Sequence, residues 1–162
     1  STPAQFANIA WSCALLVFLA DPLLAAISSA AISRINEDAS DFEPQALANL
    51  AWSSARLELQ DTPLLDALAA KSIRLLSSDQ DLFLPPEITN SAWSFAALAY
   101  SHGPWFAAIA SASLRKLRQL MPRDLAQTPW SMAMLHISNP PLRKALSAAA
   151  LRTMSVFDIQ SR

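Results

Sequence analysis

The stretch that decides the fold is "PQALANLAWSSARLEL", residues 44–59, because its central phrase recurs three more times in the chain. The related phrases are "FANIAWSCA" (6–14), "ITNSAWSFA" (88–96) and "LAQTPWSMA" (125–133). A catalytic motif is normally used once, whereas a phrase repeated at even spacing is typical of a structural unit that stacks on copies of itself. The pattern therefore predicts a repeat protein.

Three landmarks keep one register through four units. The tryptophans, the prolines before each phrase and the prolines after it are all separated by steps of 41, 41 and 37 residues. These residues are Trp11, Trp52, Trp93 and Trp130; Pro3, Pro44, Pro85 and Pro122; and Pro22, Pro63, Pro104 and Pro141. The shared register indicates four units, at about 3–43, 44–84, 85–121 and 122–157.

Each unit is predicted to form two helices, one starting at each proline. Proline suits the first helical turn, because its missing N–H would lack an intrahelical partner there. Asp21, Thr62 and Asn139 precede the later prolines and are expected to cap the second helices. Apolar residues recur at helical spacing, and a chain with a single glycine does not suit a turn-rich β fold.

The predicted fold is all-α: a right-handed α-solenoid of about four stacked helix pairs, forming a single domain over residues 1–162. Stacking buries the apolar surface of a chain that is 52% hydrophobic. We expect the four recurring tryptophans to be mostly buried between helices, and the chain to be a fragment of a longer array. The longest apolar run is interrupted by Asp21 and Pro22, so we expect no membrane span.

The residues do not suggest catalysis. His102 and His136 lie in different units with no carboxylate or cysteine at ligand spacing, and Cys13 is the only cysteine. A glycine-rich phosphate loop is excluded by the single glycine. We therefore expect no enzyme activity, no metal site and no cofactor.

Charge divides the chain into two halves. Residues 1–81 carry ten acidic and four basic side chains, whereas residues 82–162 carry three acidic and eight basic ones. Six of the basic residues are candidate phosphate contacts: Arg115, Lys116, Arg118, Arg123, Arg143 and Lys144. The asymmetry favours a polyanion or an acidic partner near the C-terminal half, and a solvated helix face is the alternative interpretation.

Two polar residues recur on each first helix. An amide (Asn8, Asn49, Asn90 or Gln127) is followed four residues later by a serine (Ser12, Ser53, Ser94 or Ser131). Residues four apart share a helix face, and amides and hydroxyls can read base edges. We predict a shared groove formed by Asn49, Ser53 and Arg56 of the second unit and by Asn90, Ser91 and Ser94 of the third. The alternative is that the fixed amide and serine serve packing, with specificity left to the variable positions.

At these residues the chain resembles a known family. "PQALANLAWSSARLEL" is similar to the first helix of the octotricopeptide repeat, found in RNA-maturation and translation factors of chloroplasts and mitochondria and, in related form, in FAST-kinase-like proteins. The resemblance covers all four units and is weakest in the fourth, where Pro129 and Gln127 replace alanine and asparagine. It implies an organellar protein that binds single-stranded RNA or rRNA and acts in RNA maturation, translation or ribosome assembly.

A second interpretation follows from the acidic first half. RNA-binding proteins usually show an excess of lysine and arginine, because phosphate contacts dominate their affinity. The chain could instead be a protein-binding scaffold, a structural subunit of a large organellar complex that contacts other protein subunits without touching RNA. A third interpretation combines the two, with rRNA at the basic end and protein at the acidic end.

Overall fold

The computed structural model describes residues 2–17, 21–37, 42–78 and 82–160. Within these ranges every regular element is an α-helix, and there are eight of them. They are α1 (Pro3–Leu15), α2 (Asp21–Asn36), α3 (Pro44–Arg56), α4 (Thr62–Leu76), α5 (Pro85–Ala97), α6 (Gly103–Arg115), α7 (Pro122–Met134) and α8 (Pro140–Gln160). The predicted all-α fold, with two helices in each unit, is confirmed.

The prolines begin the helices as predicted. Each first helix starts at its own proline, and each second helix starts within one residue of the later proline. Two of the three expected caps lie inside their helices, because Asp21 is the first residue of α2 and Thr62 is the first residue of α4. Asp61, not Thr62, caps α4 by accepting the Leu64 N–H at 3.1 Å, because Thr62 already belongs to the helix. Asn139 caps α8 as expected, accepting the Leu142 N–H at 3.0 Å.

The helices contact one another in two series. The first helices form the series α1–α3–α5–α7, and the second helices form the series α2–α4–α6–α8. Each first helix also contacts the second helix of its own unit. Among the described residues, helices of non-adjacent units do not contact one another. Stability of such a chain is a sum of unit and nearest-neighbour terms.

Small residues fill the space between neighbouring first helices. The alanine just before the tryptophan is buried in the first three units, at Ala10, Ala51 and Ala92. These alanines belong to one apolar cluster that runs from α1 to α6. A second cluster, around Leu142 and Leu146, joins the last helices.

The expectation that the recurring tryptophans are mostly buried holds for three of them and is wrong for the fourth. Trp11, Trp52 and Trp93 are largely buried with part of each side chain accessible, whereas Trp130 is 43% exposed. The buried alanine precedes each of the first three rings, and side chains of successive helical residues point about 100° apart. The alanine therefore faces the neighbouring helix, and the tryptophan lies at the edge of the contact.

The large ring in the core is Trp105, which has 0% exposure. It stacks on Phe95 with ring centroids 4.1 Å apart and meets Phe106 edge-on at 4.7 Å. The corresponding positions of the second and fourth units hold Leu64 and Leu142, which are also buried. Trp105 thus occupies a core position that is otherwise leucine.

Each first helix ends with a residue in the left-handed conformation. The positive φ angles are 51° at Val17, 56° at Glu58, 52° at Ala99 and 54° at His136. In three units the next N–H reaches back five residues to a helix carbonyl: Leu59 to Ser54 at 2.8 Å, Tyr100 to Phe95 at 2.9 Å and Ile137 to Met132 at 2.9 Å. This is the Schellman arrangement, which usually has glycine at the left-handed position.

A substitution to glycine at one of these positions is expected to stabilise the fold. Ala99→Gly should raise the free energy of unfolding by about 1 kcal/mol, because the left-handed conformation costs a side chain roughly 1–2 kcal/mol. The same substitution at the exposed helical residue Ala107 should lower it by about 1 kcal/mol. Urea midpoints of the two variants should therefore move in opposite directions, and a lower midpoint for Ala99→Gly would contradict the prediction.

Trp105 and Trp130 should contribute very differently to stability. Trp105→Ala removes a fully buried ring and should cost roughly 3–5 kcal/mol. Trp130→Ala removes a ring that is 43% exposed and should cost much less. Chemical denaturation of the two variants checks this order, which equal shifts of the midpoint would refute.

Candidate nucleic-acid interface

The recurring serines bond to their own helices. Each hydroxyl donates to the carbonyl of the recurring amide residue one turn back: Ser12 to Asn8 at 2.8 Å, Ser53 to Asn49 at 2.7 Å, Ser94 to Asn90 at 2.7 Å and Ser131 to Gln127 at 2.9 Å. Three of the four, in the second to fourth units, are also buried. A hydroxyl bonded in this way already has its hydrogen-bond acceptor within its own helix.

The predicted groove of the second and third units therefore needs a correction. Ser53, Ser91 and Ser94 are all buried, and Ser53 lines a cavity of about 360 Å³ that it shares with residues of the first unit, not with Ser91 or Ser94. The sequence cannot show this, because a small polar residue suits both a close helix contact and a binding surface. The amides Asn49 and Asn90 are partly exposed, and Arg56 is exposed.

The exposed tryptophan edges form the more open surface. Trp52, Trp93, Arg123, Gln127 and Trp130 line a groove of about 440 Å³, which we name the tryptophan groove. It crosses three successive first helices, α3, α5 and α7. One large ring from each helix therefore contributes to a single surface.

Arg56 lies on the other side of Trp93. It lines a neighbouring depression of about 330 Å³ together with Glu58, Gln60 and Trp93. The Trp93 ring is therefore shared by two depressions, one containing Arg56 and the other Arg123. Arg56 thus shares a depression with Trp93 of the third unit, and the predicted neighbours Asn90, Ser91 and Ser94 do not line it.

A buried polar network holds α7 against α5 beneath this surface. The Thr89 hydroxyl donates to Asp124 Oδ1 at 3.1 Å, and Asp124 Oδ2 accepts the Met121 N–H at 2.9 Å. The side-chain amide of Gln127 donates to the Thr89 carbonyl at 3.4 Å. The network therefore holds Gln127, which lines the tryptophan groove, and includes Asp124, which directly follows Arg123 in the sequence.

The six basic candidates of the second half occupy different environments. Lys116 is buried, which removes it from any open phosphate site. Arg115 donates to the Leu76 carbonyl of α4 at 3.2 Å, so it joins two second helices. All of the six except Lys116 are exposed: Arg115, Arg118, Arg123, Arg143 and Lys144. Of the six, Arg123 is the one that lines the tryptophan groove.

Sequence reasoning missed the tryptophan groove because it assigned the rings to the core. A usable signal was present in the phrase itself. A small residue, alanine or proline, precedes each of the four recurring tryptophans and a serine follows it, so each unit offers small residues for the helix contact. Large rings beside such residues can lie at the edge of the interface.

No protein-family model matches the chain, and no curated protein matches it. None of the described helices is long and apolar enough to cross a membrane. Over the same residues, no group of three or more histidine, cysteine, aspartate or glutamate side chains could hold a metal ion.

Glu87 gives the fold a pH dependence. Its carboxylate caps α5 by accepting the Leu84 N–H at 2.8 Å. Burial raises the pKa of Glu87 above 4.5, and the charge of Glu43 adds to this, while the Leu84 hydrogen bond and the charge of Lys116 lower it. The folded chain therefore binds this proton more tightly than the unfolded chain does.

Removing this ionisation should reduce the pH dependence of stability. The contribution of Glu87 is fully present below pH 4.5 and is lost as the pH rises through its raised folded pKa. Glu87→Gln keeps an acceptor for Leu84, so its stability relative to wild type should increase from acidic to neutral pH. Urea unfolding across that range measures the difference, with Glu58→Gln at an exposed position as the control. A difference that does not change with pH would contradict the assignment.

Proposed function

We propose that this chain is a helical-repeat protein that binds single-stranded RNA on the surface of its first helices. In this proposal the four units form a right-handed α-solenoid of the octotricopeptide type. Its cellular role is RNA maturation, translation or ribosome assembly in a chloroplast or mitochondrion, as the resemblance of the repeated phrase implies. The two series of helix contacts support the stacking, because each unit touches its neighbours alone within the described residues.

The tryptophan groove is the observation that carries the proposal. Single-stranded nucleic acid binds to surfaces that combine exposed aromatic rings with cationic side chains. Stacking of one base on an aromatic ring contributes about 1–3 kcal/mol, and every base has a face that can stack. The groove combines Trp52, Trp93 and Trp130 with the guanidinium of Arg123, which suits a phosphate.

Packing against the core explains the positions of the Trp52 and Trp93 rings but not that of the Trp130 ring. Trp52 packs against the small apolar cluster of Cys13, Ala14 and Leu57, and Trp93 packs against the main core. Trp130 is 43% exposed and belongs to neither group. Its exposure is therefore the feature that favours a binding function over a purely structural one.

The scaffold is the second candidate, and the first unit favours it. Leu15, Leu16 and Val17 are 60%, 78% and 58% exposed at the end of α1. Exposed apolar residues of this size often contact another protein. They lie in the first unit, in the half of the chain that carries ten acidic and four basic side chains, a balance that favours a protein partner over a polyanion. Protein binding at this end is compatible with RNA binding at the other.

Arg123→Ala tests the RNA proposal. Loss of one phosphate contact should weaken all single-stranded RNA sequences about equally and reduce the slope of log affinity against log salt by about one. Titration of RNA pools at two salt concentrations measures both effects. Arg74→Ala, at an exposed arginine on the second helix α4, is the matched control and should leave the slope unchanged.

Two outcomes would contradict the proposal in different ways. If the wild-type chain binds no single-stranded RNA at low salt, the RNA function fails and the scaffold becomes the preferred function. If RNA binds but Arg123→Ala keeps the wild-type slope, the RNA lies on another surface.

Arg56→Ala is expected to change the preference among sequences, because Arg56 borders Trp93 at a position that varies between units.

A further inference from the structure

The two stacked tryptophan pairs have different spacings. The rings of Trp11 and Trp52 have centroids 4.1 Å apart, with planes inclined by 29°. The rings of Trp93 and Trp130 are 6.5 Å apart, with planes inclined by 24°. Both pairs come from the same position of successive first helices. The same phrase thus produces one closed pair and one open pair.

The two centroid distances, 4.1 and 6.5 Å, can be compared with the thickness of an aromatic ring. Non-bonded carbon atoms make their best contact at about 3.5–4.0 Å. The closed pair is therefore already in contact, and a planar group between two rings requires about 7–8 Å. The centroid distance of the open pair, 6.5 Å, is below this separation, so a base enters only if the exposed Trp130 ring moves outward by roughly 1 Å. Exposed side chains make such movements on the picosecond to nanosecond timescale.

One sequence difference lies directly beside the open pair. Pro129 precedes Trp130, whereas alanine precedes the tryptophan in the other three units. Pro129 lies inside α7, where it has no N–H to donate and its ring crowds the carbonyl four residues earlier. Proline in a helix interior bends the helix at that point. The wider spacing of the rings occurs at the helix that carries this proline.

We propose that Trp93 and Trp130 hold one RNA base between their rings, with Arg123 on the adjoining phosphate and Gln127 beside the base edge. This inference rests on the proposed RNA-binding function and assigns one nucleotide to a defined place in the tryptophan groove. Arg123 and Gln127 line the same groove as the two rings. The hydrogen bond from Gln127 to the Thr89 carbonyl leaves its side-chain oxygen available as an acceptor.

The Trp11–Trp52 pair provides a comparison for the proposed base slot. Trp11 and Trp52 already satisfy each other by stacking, so a base could not enter between them without separating two rings in contact. The charges agree with this assignment, since Arg123 belongs to the basic half and the first unit to the acidic half. The base slot is therefore placed between the third and fourth units.

Binding of short RNA with and without bases tests the slot. The probes are a fluorescein-labelled single-stranded RNA decamer and the same backbone with an abasic site at each position in turn. Trp130→Ala should weaken binding of the intact RNA by about 5- to 100-fold, as expected for loss of one stacked base. Trp130→Phe should retain most of the affinity, and Pro129→Ala should weaken binding, because alanine is the residue found at this position beside the closed pair.

Control variants distinguish loss of the base slot from loss of folding and from a general loss of RNA binding. Leu151→Ala removes an exposed apolar side chain on α8 and should leave affinity unchanged. Circular dichroism and the urea midpoint verify that each variant is folded. For the wild type, one abasic position should cost as much as Trp130→Ala, and the two losses should not add.

The outcomes distinguish the slot from the function on which it rests. Equal affinity of Trp130→Ala and wild type, or indifference of the wild type to every abasic site, overturns the slot while RNA binding stands. If the affinity losses from Trp130→Ala and from the abasic site add, the missing base binds elsewhere, and the slot is again overturned. If the wild-type chain binds no RNA at low salt, the proposed function and the slot fail together.

Discussion

The close contact between the first helices of successive units is the constraint on which the rest of the structure depends. The distance between packed helices is set by the side chains at the contact. Here those side chains are small, and the alanines at Ala10, Ala51 and Ala92 are buried together with the recurring serines that follow the second and third rings. The serine hydroxyls bond within their own helices, so they can be buried without an unsatisfied donor.

This contact also determines the surface. When alanine occupies the interface, the tryptophan next to it lies at the edge, where part of the side chain remains accessible. Stacking neighbouring units then aligns one ring from each first helix. The tryptophan groove is thus a consequence of how the helices pack, and a partner that stacks on rings could use it without any change in the core.

Hydrogen bonds between polar side chains of neighbouring units make this packing more specific. Thr89, Asp124 and Gln127 join α5 to α7, and the Ser28 hydroxyl of α2 donates to the Asp61 carboxylate that caps α4. Buried polar groups of this kind are costly unless they are paired, so they favour one arrangement of neighbouring helices over others. In the last two units the network lies beneath Arg123, the cation that the proposed function requires.

The sequence alone was sufficient for the helices and their order. The register of prolines and tryptophans predicted two helices in each unit and their first residues, because proline restricts the backbone locally whatever surrounds it. The sequence did not predict which side chains are exposed. Trp52 and Trp105 are both large apolar residues on predicted helices, yet the Trp52 ring lies at the edge of a helix contact and the Trp105 ring lies in the core. The burial of Ser53, Ser91 and Ser94 and the different spacings of the two tryptophan pairs were likewise decided by the tertiary structure. Helix formation follows from hydrogen bonds and dihedral angles within one segment, whereas the exposure of a side chain depends on which face the neighbouring helix covers.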